Sequence, residues 1–425
     1  FLALFTALAG YVQARYPVTS GLRMILVMPA TWVSIEWLRG MIFTGFPWLT
    51  LGYAHSDSSL AGYAPLLGVY GVSLMGAVSA GLLAYSSINL LQNPEVKSQG
   101  ARSSYLALAT NGALSRRALI PLSILAVIWM GGKALRIITW TKPYGEPFSV
   151  ALVQGNIPQN LKFNEDVLGG TLEKYRRLVL ENHARLIILP ETAFPLLRHE
   201  IPQNLVVQLR AHALQNGGDV LIGSFENDHG SYYNSVFSLG ADAQQHYRKQ
   251  HLVPFGEFIP LRPLLGWFIN GVLDIPMGDL ARGDEVQPPL HVAGQRVAVN
   301  ICYEDAFGEE VIRALPQATL LVNVTNDAWY GHSYAAAQHN QISRMRAIES
   351  GRMMLRATNT GVTSIIDADG RVLQQLPQHV EGVLHGMAQG YEGVTPYARW
   401  GNAAVLLLIA LMAAGAQLLG NRIPD

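Results

Sequence analysis

At 425 residues, half of them hydrophobic and only 14% charged, the chain is more apolar than an ordinary soluble domain and reads as a membrane protein. Thirty basic and thirty acidic side chains leave no net charge, so no basic surface argues for nucleic acid as a partner. A single cysteine excludes an internal disulfide and leaves the redox compartment open.

The chain opens on Phe1 inside an apolar run, which predicts that it is N-terminally truncated, with one or more membrane helices preceding it. Five apolar stretches qualify as spans: residues 1–12 as the tail of one, then 22–38, 61–91, 118–138 and 403–419. The complete ones come near the ~20 residues that a bilayer core requires. Residues 1–142 are therefore expected to be transmembrane helices, 143–398 a soluble domain, and 399–425 a C-terminal transmembrane helix. Arg39, Lys133 and Arg136 lie near span ends, where long basic side chains reach the interface. Glu36 has Arg39 as an i,i+3 partner. Arg15 and Arg23 flank the first loop, and Lys97, Arg102, Arg116 and Arg117 occupy the polar third loop around residues 92–115. The loop at 43–60 has no Lys or Arg. The positive-inside rule then puts the basic loops in the cytoplasm and residues 143–398 outside it.

Within 143–398, strand-like and helix-like segments alternate. Residues 148–154 read as a strand, 164–182 as a helix capped by Asn164, and 186–189 as a short buried strand. Residues 205–214 have helical spacing, and 219–223, 233–239, 296–301 and 319–324 are strand-like. A helix follows at 335–350, then paired strands from 353 to 366 across Gly361. This order predicts a large α/β sheet system with layered helices, and no internal repeat is visible.

Cys302 falls where the strand 296–301 ends, the kind of place where a scaffold fixes the backbone and leaves a side chain reachable. It can be an inert core thiol or a nucleophile. A thiol attacks only after losing its proton, so a nucleophile needs a base or a positive neighbour. Glu191, after Leu189-Pro190 at another strand end, can serve as general base, and Lys249 can stabilise an oxyanion in a dry site. Glu191 and Lys249 can equally form a structural salt bridge. Glu257 and Glu304 either orient Lys249 or cap a turn. His332, His339 and Asp327 lack the spacing of the recognised metal sites, so no metal is expected. Phe255, Trp267, Phe268 and Trp329 are candidates to line an apolar path or to sit in the membrane interface, and core packing serves Trp267 and Phe268 equally well.

Leu189-Pro190-Glu191, Lys249 and Cys302-Tyr303-Glu304 resemble the Glu-Lys-Cys triad of the nitrilase superfamily. Glu36-Trp37-Leu38-Arg39-Gly40, Thr44-Gly45-Phe46-Pro47-Trp48, the run Val153 through Gln159 and His251 through Glu257 look like its membrane-embedded branch, the apolipoprotein N-acyltransferases of Gram-negative bacteria. So do Asn326-Asp327-Ala328-Trp329 and Thr395-Pro396-Tyr397-Ala398-Arg399. The resemblance covers nearly the whole chain. It implies a membrane α-helical bundle carrying an extracytoplasmic α-β-β-α nitrilase-like sandwich domain, in the bacterial inner membrane with the catalytic domain in the periplasm.

It implies further that Glu191 is the base, Lys249 the oxyanion stabiliser and Cys302 the acyl acceptor. Glu257 would be a supporting acid, Tyr303 would support the pocket, and Asn234, in Tyr232-Tyr233-Asn234-Ser235, would help shape the site. Phe163 stands where the family often has Trp, keeping a ring but no indole N–H. The implied reaction moves a fatty acyl chain from a phospholipid to Cys302 as a thioester. The α-amino group of a diacylglyceryl-modified apolipoprotein then accepts it, with no cofactor. Two rivals remain: a membrane-tethered amidase or nitrilase with the same triad, whose thioester is resolved by water, and a non-catalytic lipoprotein-binding or transport component that kept the fold. Intact Glu191, Lys249 and Cys302 argue against the second.

Overall fold

In the computed structural model, which describes residues 1–91, 116–259 and 280–420, the alternating segments beyond residue 140 become two six-stranded sheets. The predicted cytoplasmic loop 92–115, with Lys97 and Arg102, and the candidates Trp267 and Phe268 lie outside the described residues. Two units are compact by themselves: residues 1–139 with 400–425, and residues 140–399.

In the second unit, strands β1 (Thr141–Gln154), β2 (Leu186–Ile188) and β3 (Asp219–Asp228) run parallel, joined by the helices Glu165–Leu180 and Gln203–Gln215. Strands β4 (Ser231–Leu239) and β5 (His246–Arg248) extend this sheet antiparallel on one side. β12 (Gly382–Gly393) closes the other side, paired antiparallel along nearly all of β1. The second sheet has the same plan. β7 (Gln295–Ile301), β8 (Leu320–Thr325) and β9 (Met354–Thr358) are parallel, with the helix Ala335–Ser350 between β8 and β9. β6 (Leu290–Val292), β10 (Ser364–Ile366) and β11 (Val372–Gln375) run antiparallel at its edges.

Short apolar runs form these parallel strands because both faces are covered. Ala151, Val153, Ile187, Leu189, Val220 and Ile222 pack beneath Tyr175, Leu178, Leu205 and Leu209 of the two crossover helices. The alternate residues Val150, Leu152, Leu186, Ile188 and Leu221 are buried too, on the face turned to the other sheet. Ala298, Leu321, Met354 and Ile366 pack under Ala347 of the helix Ala335–Ser350. The layers are helix, sheet, sheet, helix. Side chains at the end of β1 stitch the sheets together: Gln154 Oε1 accepts from Thr358 and Thr363, and Asn359 exchanges hydrogen bonds with Ile157. Asn164 caps the helix Glu165–Leu180, accepting from Asp166 N at 2.9 Å.

Among the described residues of the first unit, two helices are long and apolar enough to cross a membrane, Ser59–Leu90 and Ala403–Gly420; a third apolar helix, Leu119–Leu135, is shorter. The remaining two expected spans are helical too, one short and one continuous from Ser20 to Arg39. Leu2–Arg15 has 14 residues. The stretch 22–38 includes a π-helical segment, Arg23–Val27, just ahead of Pro29, whose missing N–H disturbs the regular ladder. Close backbone approach holds this unit together, since a Cβ on Gly62 would lie 2.0 Å from the carbonyl oxygen of Gly132. Glu36 is met by Trp32 Nε1 at 3.1 Å and Leu51 N at 2.9 Å, so its hydrogen bonds come from these groups rather than from Arg39.

Phe194 is fully buried and meets Tyr175 edge-on at 6.2 Å. Phe194→Ala is expected to cost about 3–5 kcal/mol in denaturant unfolding. Leu373→Ala on the exposed edge strand β11 should stay within about 0.5 kcal/mol of the parent.

Candidate active site

Three strand ends and one loop supply the site. After β2 the chain turns through Pro190, Glu191 and Thr192, the last with φ 45°, and passes directly over Gly223 of β3. A Cβ on Gly223 would lie 2.4 Å from Pro190 O and 2.6 Å from Thr192 N, so only glycine admits the turn. The turn sets the Glu191 carboxylate among three donors: Asn234 Nδ2 at 2.8 Å, Lys249 Nζ at 3.5 Å and the Asn326 backbone N–H at 2.9 Å.

Lys249 follows β5 and is held in place by its own N–H, which donates to Asn234 O at 2.8 Å. Its ammonium is buried and lies 2.8 Å from Glu257 Oε1. Burial alone would depress the amine; the carboxylates of Glu257 and Glu191 outweigh it and hold Lys249 well above its ordinary range. Glu257 also accepts from Val253 N at 2.8 Å and from Asn234 Nδ2 at 3.4 Å. It therefore both orients Lys249 and closes its own turn.

Cys302 ends β7 and begins a 3₁₀ turn, Cys302–Ala306, in the left-handed region at φ 57°. Such a conformation in a non-glycine residue costs on the order of 1–3 kcal/mol and must be held by its surroundings. Two donors hold the Cys302 carbonyl: Asn323 Nδ2 at 2.9 Å and His339 Nε2 at 3.3 Å. Burial, then the charge of Glu191, push the thiol well above its ordinary range, while Lys249 opposes them. A thiol placed this way stays protonated, and it could attack only if a base took the proton as the new bond formed.

Glu304 does not hydrogen-bond Lys249. Its two oxygens accept from the N–H groups of Ile301, Gln250 and His251 at 2.7–2.9 Å and from Tyr247 Oη at 3.0 Å. One carboxylate thus ties the segment after Lys249 to the strand end before Cys302. Burial raises it to about 7. Tyr303 is buried and packs edge-on against His251 and Phe307, with centroids 5.6 and 4.9 Å away.

Beneath Cys302 lies a charged network that sequence reasoning did not anticipate. His339 is fully buried, with Nδ1 2.9 Å from Asp327 Oδ1 and Nε2 2.9 Å from Asp305 Oδ1. Burial and Arg356 act to lower its pKa, but the two carboxylates raise it overall. Arg356 donates to Asp327 Oδ2 at 2.9 Å, and Asp327, which burial alone would raise, is held at about 2 by His339 and Arg356. His332 takes no part; its ring meets that of His379 at 4.2 Å. Among the described residues no group of His, Cys, Asp and Glu could hold a metal ion.

Lys162 is the other residue missed. It is buried, and its Nζ donates to the Glu191 carbonyl oxygen at 3.1 Å. Nothing local in the sequence marks a lysine as buried, because lysines are ordinarily exposed. The aromatic candidates Phe163, Phe255 and Trp329 are all on the surface, and Trp329 is 73% exposed. Phe163 touches Phe225 at 6.3 Å, and Phe255 adopts φ 62°.

Across this doubled sheet and its outer helices, a family model described as carbon-nitrogen hydrolase matches residues 149–415. A second model, the apolipoprotein N-acyltransferase N-terminal domain, matches residues 1–82. The chain is 49% identical to an apolipoprotein N-acyltransferase of Nitrosomonas europaea, over 98% of this chain and 79% of that protein. It is 45% identical to one from Ralstonia nicotianae, over 97% and 76%, and 44% identical to one from Methylococcus capsulatus, over 96% and 77%. The chain belongs to the apolipoprotein N-acyltransferase family.

Because the turn bearing Glu191 rests on Gly223, Gly223→Ala should displace that carboxylate. Acyltransferase activity is expected to fall on the order of 100-fold, the scale of an ångström-level misplacement. Gly169→Ala, where a Cβ meets nothing within 4 Å, should leave the rate unchanged.

Proposed function

We propose that the chain transfers a fatty acyl group from a phospholipid to the α-amino group of a diacylglyceryl-modified apolipoprotein, through a thioester on Cys302. The observation that carries this reading is the buried cluster of Glu191, Lys249 and Glu257, electrostatically coupled to the Cys302 thiol, in a member of this acyltransferase family. In the first half-reaction Glu191 takes the Cys302 proton as sulfur bonds to the ester carbonyl carbon. Lys249 stabilises the resulting oxyanion, and collapse breaks the ester C–O bond. The leaving lysophospholipid oxygen takes the proton back from Glu191. In the second half the amine attacks the thioester, Glu191 accepts its proton, and the C–S bond breaks with that proton returning to sulfur. Glu257 keeps Lys249 charged and in place, Asn234 bridges Glu191 and Glu257, and Tyr303 packs beside the nucleophile.

The substrates are lipids, which supports a placement in the inner membrane, with several helices crossing it and residues 143–398 on the periplasmic side. The loop charges Arg15, Arg23, Arg116 and Arg117 support that orientation. Phe163, Phe255 and Trp329 offer exposed rings for lipid contact.

Incubation with phospholipid and an acceptor lipopeptide tests the reading against hydrolysis. The expected product is N-acylated peptide, with free fatty acid far below it, because a thioester shielded from water reacts preferentially with an amine. Cys302→Ser and Glu191→Gln should fold and lose transfer. Steady fatty-acid release at the rate of transfer, or transfer retained in Cys302→Ser, would contradict the reading.

A further inference from the structure

The mechanism above leaves a buried charge beside the Glu191 turn unused. Lys162 follows the turn Gln159–Leu161 and sends a 4%-exposed side chain under the Glu191 turn, where Nζ meets Glu191 O at 3.1 Å. The same turn is fixed to the site a second time. Gln159 Oε1 accepts from Asn326 Nδ2 at 2.6 Å, and Asn326 N is the donor on Glu191 Oε2. Among the described residues the Glu191 carbonyl is the hydrogen-bond acceptor that the Lys162 ammonium finds, although the group carries three donors.

Charge counting shows what this amine adds. Glu191 and Glu257 bring two negative charges and Lys249 one positive charge. With Lys162 protonated the cluster is neutral; with Lys162 neutral it carries one excess negative charge in a dry site. Acyl loading moves the Cys302 proton to Glu191 and places negative charge on the substrate oxygen, a shift that an uncompensated negative site resists. We propose that Lys162 is a positioning residue for acyl loading, bracing the Glu191 main chain and balancing the negative charge that Glu191 and Cys302 share. The inference rests on the reading of Cys302 as the acylated nucleophile.

The groups that face Lys162 are Glu191, Cys302 and Lys249. Burial, with some help from Lys249, brings Lys162 down to about 8, and Glu191 and Cys302 act against that fall. Lys249 and the Cys302 thiol are both held well above their ordinary values, so neither changes charge in that range. Glu304, at about 7, spends its oxygens on backbone N–H groups and Tyr247. Loading should therefore slow as pH rises past about 8, where Lys162 loses its proton.

The test is single-turnover release of lysophospholipid by the full-length enzyme in phospholipid micelles, from pH 6 to 10, with thermal unfolding as the folding control. The parent enzyme should lose rate above pH 8. Lys162→Met should load roughly tenfold or more slowly at pH 7, a fold-change equal to one pKa unit of lost stabilisation, and should lack the decline at pH 8. Lys162→Arg keeps the charge at all these pH values, so it should retain most of the rate and remain flat to higher pH. A folded Lys162→Met enzyme that still declines at pH 8 overturns the inference alone, as does a Lys162→Arg enzyme with the parent profile should the Met variant not fold. A parent enzyme that releases no lysophospholipid overturns the Cys302 reading and this inference with it.

Discussion

The buried ammonium of Lys249, pinned between Glu257 and Glu191, is the constraint on which the site depends. Removing a charge from water costs several kcal/mol unless close partners replace the solvent, and here two carboxylates do so at 2.8 and 3.5 Å. That requirement fixes where three segments must meet: the turn after β2, the end of β5 and the loop at Glu257. Asn234 on β4 completes the arrangement by donating to both carboxylates. Removing the Glu257 carboxylate would leave the buried ammonium with Glu191 alone, at 3.5 Å, so geometry and stability are coupled here.

The second sheet solves a related problem for Cys302. Its left-handed backbone is held by Asn323 and His339, and His339 is itself set by Asp305 and Asp327, with Arg356 against both acids. Two acids face one imidazolium and one guanidinium, so this buried cluster is neutral as a whole. Glu304 then links the halves, joining Ile301 before Cys302 to Gln250 and His251 after Lys249. The two sheets contribute complementary parts: one Glu191 and Lys249, the other the Cys302 thiol on a braced turn.

Much of this order is legible along the chain because it is local. The apolar runs at β2, β7 and β8, the Asn164 cap and the helix Ala335–Ser350 follow from periodicity and composition. Strand β12 is not legible, since Gly382, His385, Gly386, Gln389, Gly390 and Glu392 give it no strand signature. It exists through pairing with β1, more than two hundred residues earlier. Glu191, Lys249 and Cys302 stand out as strand-end groups, whereas Lys162 and Asp305 become visible only when the fold shows that they are buried. The π turn before Pro29 likewise cannot be read from hydropathy, which sees only one apolar stretch. Burial of charge is a tertiary property, and the residues missed are those whose role depends on it.

In the proposed reaction the Cys302 sulfur carries the acyl group between donor and acceptor. Peptide mass spectrometry of the full-length protein after incubation with phospholipid, in the absence of any apolipoprotein, addresses that directly. The predicted result is a fatty acyl adduct on Cys302 that hydroxylamine removes, as expected of a thioester. Acyl transfer to an added acceptor by enzyme whose Cys302 never carries such an adduct would contradict it.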